Sequence, residues 1–307
     1  LAPRTIPETR ATARALLLLV ASATMFGLMA FSAKLATARL SGPQVAMIRF
    51  AVGLAPLVFI PRVRRAAFDF KRWDLLLVRG IFGGLAVLFY FICIEHSTIG
   101  VATLLNYTAP LYSGLFSMLF IGEKFSAKVL FPLPIALLGV FLVVHAHARP
   151  GEILGFRRWE VIGALSAVCS AIAVTAIRAA RRTESSWSVY ASFCIIGLLT
   201  TLPLGISTWR NPLPDEWYAL AATSLFAIGA QLAMTFSLRW VDAMTVGVMS
   251  QLAVVVSMIL GAAFIGEHIL PMAAIGSALT IGGVAGVTWI TSMTRPIVAA
   301  VEVAPEA

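Results

Sequence analysis

The chain has 307 residues, 60% of them hydrophobic and only 12% charged, with a mean hydropathy of +0.92. Ordinary soluble domains carry about a quarter charged residues, so a water-soluble chain of this length could not hide so much apolar surface, and a polytopic membrane protein is left. The net charge of +9 would suggest a nucleic-acid partner in a soluble protein, but the basic residues lie mostly in short connections, where topology signals belong. The lipid bilayer is therefore the first partner, and no nucleic acid is expected.

Apolar stretches of roughly 20 residues, enough to cross the hydrocarbon core, recur almost end to end. In chain order the sequence predicts a cytoplasmic tail over 1–13, spans at 14–37, 43–61, 76–95, 98–121 and 127–146, a connecting loop at 147–158, spans at 159–180, 187–207, 216–238, 242–265 and 270–294, and a second cytoplasmic tail over 295–307. Their length and the lack of period-two alternation predict helices rather than barrel strands. The first stretch lacks a convincing small-residue cleavage site, so it is expected to be retained. Pro43, Pro61, Pro150, Pro212, Pro214 and Pro271 fall at or near predicted ends, where a missing N–H costs least. Cys93, Cys169 and Cys194 all sit inside apolar stretches; their odd number and spacing fit neither a disulfide framework nor a metal site.

The connections on the N-terminal side hold fourteen basic residues, Arg62, Arg64, Arg65, Lys71 and Arg72 among them; the other side holds five, Arg39, Arg149, Arg157, Arg158 and Arg210. The positive-inside rule then places both chain ends in the cytoplasm and the protein in a bacterial inner (plasma) membrane.

The chain also repeats itself at a fixed offset of 144 residues. Phe120-Ile121-Gly122-Glu123 reappears as Phe264-Ile265-Gly266-Glu267; Ala109 meets Ala253, Ser113 meets Ser257, Gly139-Val140 meets Gly283-Val284, Val143 meets Val287 and Lys34 meets Arg178. One register held over more than 100 residues is a true internal repeat. Each copy holds five spans, 14–146 and 159–294, and an odd count makes the second copy enter from the opposite side. The expected fold is an all-α membrane protein of ten transmembrane helices in two inverted five-helix repeats, an arrangement that supplies two exchangeable gates in secondary transporters.

With Arg49-Phe50 early in span two, Asn106 to Pro110 and Gly122-Glu123 around span four, Gly139-Val140 in span five, and Gly266-Glu267 and Gly283-Val284 in the second half, the chain resembles the drug/metabolite transporter superfamily over residues 14–294. Within it the closest resemblance is to bacterial aromatic amino-acid exporters. The resemblance implies a ten-span exporter with spans five and ten at the periphery, and a structural role for Glu123 and Glu267. Two departures stand out: Phe193 occupies the position matching Arg49, and Val254 the position matching Pro110.

All fourteen acids fall in tails, connections or helix ends, so no embedded carboxylate is seen to couple protons. Glu95 and His96, at the outer end of span three, are a possible gate or acid–base pair, or an ordinary solvated helix end. Arg49, about 9 Å into span two at the helical rise, reads as a substrate-carboxylate ligand, a snorkelling side chain or a cap. No Lys or Arg is expected at a span centre, which argues against phosphorylated or nucleotide-linked solutes. Near the midplane the polar groups are neutral: Asn106 and Tyr107 in span four correspond to Ser250 and Gln251 in span nine, and buried amides want a partner. Pro110 frees a carbonyl near Asn106. Phe26, Tyr90 and Tyr107 belong to an aromatic cluster suited to an apolar solute.

The leading reading is a secondary transporter exporting amino acids, aromatic or otherwise apolar, or similar small metabolites by alternating access, with no cofactor. The rivals are a proton-coupled exporter of drugs or organic cations and, from another class, a lipid-modifying membrane enzyme using Glu95 and His96. Metalloprotease, aspartyl-protease, hydrolase and phosphate-loop motifs are missing from the sequence, so no enzyme is expected.

Overall fold

The computed structural model describes residues 6–68, 70–112, 116, 128, 131–146, 158–180, 183–237 and 243–293, and among them every regular element is helical. The helices are α1 (Ile6–Ala36), α2 (Gly42–Gly53), α3 (Ala55–Phe59), α4 (Pro61–Ala67), α5 (Trp73–His96), α6 (Ile99–Asn106), α7 (Pro132–Ala146), α8 (Arg158–Ala180), α9 (Ser186–Ser207), α10 (Pro214–Ser237), α11 (Ala243–Ser250), α12 (Leu252–Leu260) with a π turn at Gly261–Ile265, and α13 (Pro271–Met293). Among the described residues eight segments are long and apolar enough to cross a membrane, and α7 is a shorter apolar helix.

The observed ends repeat at the offset seen in the sequence. Residues 36, 42, 99 and 106 of the first half end or begin helices, and so do 180, 186, 243 and 250 of the second. The local cause is visible at the start of α2 and α9, where Ser41 and Ser185 occupy equivalent positions. Each hydroxyl accepts the backbone N–H three residues on, from Gln44 at 3.2 Å and from Ser188 at 3.0 Å. Such a cap satisfies one of the orphan donors of a helix N-terminus.

Three boundaries differ from the sequence expectation. α1 begins at Ile6, inside the segment read as a tail. The second span is broken at Leu54 into α2 and α3, because Pro56 has no N–H to continue the ladder. Spans four and nine are broken at equivalent places: α6 ends at Asn106, with a turn at Tyr107–Thr108, and α11 ends at Ser250, with a turn at Gln251. Pro110 explains the first break, but Val254 stands at the matching place in the second. Both breaks tighten into three-residue bonds: Thr108 N–H donates to Leu105 O at 3.1 Å and Leu111 N–H to Thr108 O at 2.9 Å in the first, Gln251 N–H to Val248 O at 3.1 Å and Val254 N–H to Gln251 O at 3.0 Å in the second. The break belongs to the repeat and not to the proline.

The two halves interlock. α1 packs on α10, and α5, the repeat equivalent of α10, packs on α8, the equivalent of α1. The helices that pair with their own equivalents do so antiparallel. Along α2 and α9, Met47 lies against Gly205, Phe50 against Gly197, and Gly53 against Cys194. Shifting Phe50 and Gly197 by the repeat offset converts that contact into the Cys194–Gly53 one. Along α7 and α13, Ala136 lies against Gly283 and Gly139 against Thr280, again a contact and its exchange. Equivalent helices therefore cross the layer in opposite directions, about a pseudo-twofold axis passing between them. Glycines at these crossings let backbones approach to van der Waals distance, the main source of helix association in lipid.

Candidate functional site

Only residues near a twofold axis can touch their own equivalents, so such contacts locate the centre of the molecule. Gln251, 3% exposed, donates from Nε2 to the backbone carbonyl of Tyr107 at 3.1 Å; these two positions are one repeat apart. The breaks of spans four and nine thus meet, and the amide of one satisfies a carbonyl of the other. Beside them Asn106 donates from Nδ2 to Ser166 Oγ at 2.9 Å, and Ser166 donates to Gly163 O. Ser250 turns back onto its own helix, donating to Gly247 O. Pro110 lies half-buried just beyond the first break.

Aromatic residues surround this centre. The Tyr90 hydroxyl is 2.9 Å from Thr103 Oγ1, both buried, and the Tyr90 and Phe91 rings lie 5.7 Å apart. Phe26 and Tyr107 pack half-buried against the same core. The structure brings Tyr90, Tyr107, Asn106 and Gln251 into one region, with Phe26 on its α1 side.

The second place where equivalents touch is Arg49 and Phe193. Arg49 is 7% exposed, and its guanidinium carbon lies 5.4, 5.8 and 5.8 Å from the ring centres of Phe50, Phe91 and Phe193. A second cation reaches the same ring: the Arg79 guanidinium carbon is 4.0 Å from the Phe193 centre. Arg79 is 6% exposed, and its Nε is buried with no hydrogen-bond partner. Glycines at 80, 83 and 84 let α9 close over it, with Ile196, Phe193 and Thr200 against them. Among the described residues, the titratable groups acting on Arg49 are Cys194, Tyr190, Tyr90 and Tyr107, and those acting on Arg79 are Cys194 and Arg49. No carboxylate is among them.

This corrects the sequence reading in one respect. The span carrying Arg49 is Gly42–Phe59, which puts Arg49 beside its centre, and contact with the equivalent Phe193 puts it close to the axis. A cation does stand mid-span. The sequence reading does not single out Arg79, near the start of α5; the signal it carries is a lone basic residue inside an apolar stretch followed by three glycines.

The charged residues at the helix ends are engaged in holding the architecture. Glu95 accepts the Gly42 N–H at 2.7 Å, at the start of α2. His96 stacks on Trp159 at 3.6 Å and lies 3.9 Å from Glu95. Lys34 donates to the Ile94 and Ser97 carbonyls at 2.8 and 2.7 Å, capping the end of α5. Glu267 accepts the Ile99 N–H at 3.0 and 3.1 Å, after Gly266 at φ 76° reverses the chain out of the π turn. It therefore serves the start of a helix in the other repeat; Glu123, its equivalent, lies outside the described residues.

Two further contacts join loops of opposite halves. Between the α1–α2 and α9–α10 loops, Arg39 donates from Nε to Glu216 at 2.7 Å and from Nη2 to Asn211 O at 2.6 Å, while Gln44 exchanges bonds with the Arg210 backbone at 2.7 and 3.0 Å. The hydrogen-bonded Glu216 carboxylate holds the Arg39 guanidinium above its ordinary pKa. Between the α8–α9 and α4–α5 loops, Glu184 accepts the N–H groups of Lys71 and Arg72 at 2.7 and 2.5 Å. These pairs of loops exchange under the repeat and lie at opposite ends of the spans.

The profile of the EamA-like transporter family matches twice, over residues 13–145 and 157–289. The chain belongs to that family. It is 28% identical over 240 residues to the pseudopaline exporter CntI of Pseudomonas aeruginosa, covering 78% of this chain and 83% of the exporter. It is 25% identical to an uncharacterized transporter of Archaeoglobus fulgidus, covering 68% and 74% of the two chains. A crystal structure 22% identical in sequence covers 92% of this chain and 99% of its own with a TM-score of 0.61, a likeness of fold. Family and relatives make this a multi-pass membrane transporter of a small molecule.

Proposed function

We propose that the chain is a ten-span exporter of amino acids or similar small metabolites, working by alternating access at a bacterial inner membrane with both chain ends cytoplasmic. The observation that carries this reading is the exchange symmetry of the contacts. Phe50–Gly197 repeats as Cys194–Gly53, and the broken helices meet at Tyr107 and Gln251. Two halves that interlock this way have a second arrangement of nearly equal energy, reached by exchanging their conformations. Closing contacts at opposite ends, Arg39 with Glu216 and Glu184 with the 71–72 backbone, fit a pair of gates of which one opens at a time.

Solute would bind between the halves, lined by Phe26, Tyr90, Asn106, Tyr107, Pro110, Ser250 and Gln251. The aromatic rings there suit an apolar or aromatic side chain, and the kinship with a metabolite exporter supports outward export. The organic-cation reading is the weaker one because Arg49 and Arg79 repel a cation. The lipid-enzyme reading is weaker still, since Glu95 is occupied at a helix start and His96 is stacked on Trp159. The test is uptake of labelled phenylalanine, threonine, methionine and glutamate into liposomes holding the purified protein. Saturable movement of at least one supports the proposal; movement of none removes the amino-acid reading.

A further inference from the structure

Two buried arginines, Arg49 and Arg79, lie 5.8 and 4.0 Å from the ring centre of Phe193, and among the described residues neither forms an ion pair with an acid. Inside an apolar layer an unpaired charge is costly and breaking a buried ion pair is strongly destabilising, so a lone cation persists there when its partner arrives with a ligand. Arg79 carries the more pointed sign, an Nε donor that is buried and unbonded. Unsatisfied buried donors are rare enough in folded proteins that each calls for an explanation. Arg49 makes cation–π contacts with the rings of Phe50, Phe91 and Phe193. Cation–π contacts are worth about 0.5–2 kcal/mol, too little to replace a counter-ion.

The location is also informative. Position 49 and its equivalent 193 touch across the axis, so this is where a symmetric carrier would place a site reachable from both sides. The symmetry is broken there in charge: Arg49 faces Phe193, and Arg79 has Thr223 as its equivalent. A shared ring with guanidinium forks beside it suits a planar, delocalised anion, because guanidinium presents paired N–H donors matched to carboxylate geometry.

We infer that Arg49 and Arg79 form an anion seat, and that the transported solute is a net-anionic organic acid with more carboxylates than amines. This rests on the carrier reading above and replaces its apolar or aromatic solute with acidic amino acids and related polycarboxylates.

The test uses the full-length protein in liposomes loaded with unlabelled solute, following exchange of labelled glutamate. Competitors are succinate, citrate, phenylalanine, choline and glycerol 3-phosphate. The seat predicts that succinate and citrate compete at least about tenfold better than phenylalanine and choline, a result obtained on the unmodified protein. Stronger competition by glycerol 3-phosphate than by the carboxylates identifies the anion as a phosphate ester and overturns the carboxylate assignment. Arg79→Gln and Arg49→Gln should each lower glutamate exchange at least about tenfold, while Arg79→Lys retains part of it. If phenylalanine or choline is the preferred solute and both glutamine variants move it at the normal rate, the seat is wrong while the carrier stands. If no solute in the panel exchanges, both readings fail together.

Discussion

The two repeats place their helix ends at matching positions and their buried arginines at unmatched ones. α1 and α8 end, and α2, α9, α6 and α11 begin, at equivalent residues, and both halves break the same span at the same point. Yet Arg49 faces Phe193 where symmetry would put like against like, Arg79 matches Thr223, and Pro110 matches Val254. On the carrier reading proposed above, two exchangeable states account for the symmetric scaffold, and a single ligand on the axis, needing its partners only once, accounts for the asymmetric chemistry.

Making position 49 resemble its equivalent is the sharpest way to break that comparison. Arg49→Phe should fold, since the surroundings are aromatic, but should lower flux by about 100-fold, the order expected when a group pairing with a buried charge is removed; radiolabel exchange at matched protein density checks it. The crossing of α2 and α9 tests the scaffold instead. Gly197→Leu puts a side chain where Phe50 lies and should cost about 1–3 kcal/mol by overpacking, read as a lower unfolding temperature in detergent. Gln251→Leu removes the bond between the two broken spans, a loss of about 1 kcal/mol, and should alter exchange severalfold with little change in unfolding temperature. Smallest of all, Pro110→Val copies the second repeat's solution and should leave flux within about twofold, since the paired break forms without proline.

Much of the architecture was legible beforehand because apolar length and a constant offset are properties of the sequence itself. The offset of Phe120–Glu123 to Phe264–Glu267 anticipated the matching helix ends, and an inverted second copy is consistent with the antiparallel crossing of α2 with α9. The site was less legible. Span two was read as 43–61, which placed Arg49 toward one end, whereas the crossing with α9 places it on the axis. Arg79 was passed over because distance along a helix says nothing about which neighbour covers the side chain; it is Phe193, from the other half, that buries it. The resemblance implies a structural role for Glu267 without naming its partner; after the left-handed Gly266 its carboxylate meets the Ile99 N–H, in a different repeat. Each miss involves a contact between halves, whose partner no local pattern names.

The central claim is that the ends of the bundle close in alternation. Replacing Arg39 and Glu216 by cysteine and joining them with a short thiol-cleavable crosslinker in liposomes tests it most directly; the native Cys93, Cys169 and Cys194 are buried. The account predicts that crosslinking abolishes solute exchange and that reduction restores it. Exchange continuing at its uncrosslinked rate with the 39–216 contact locked would contradict it.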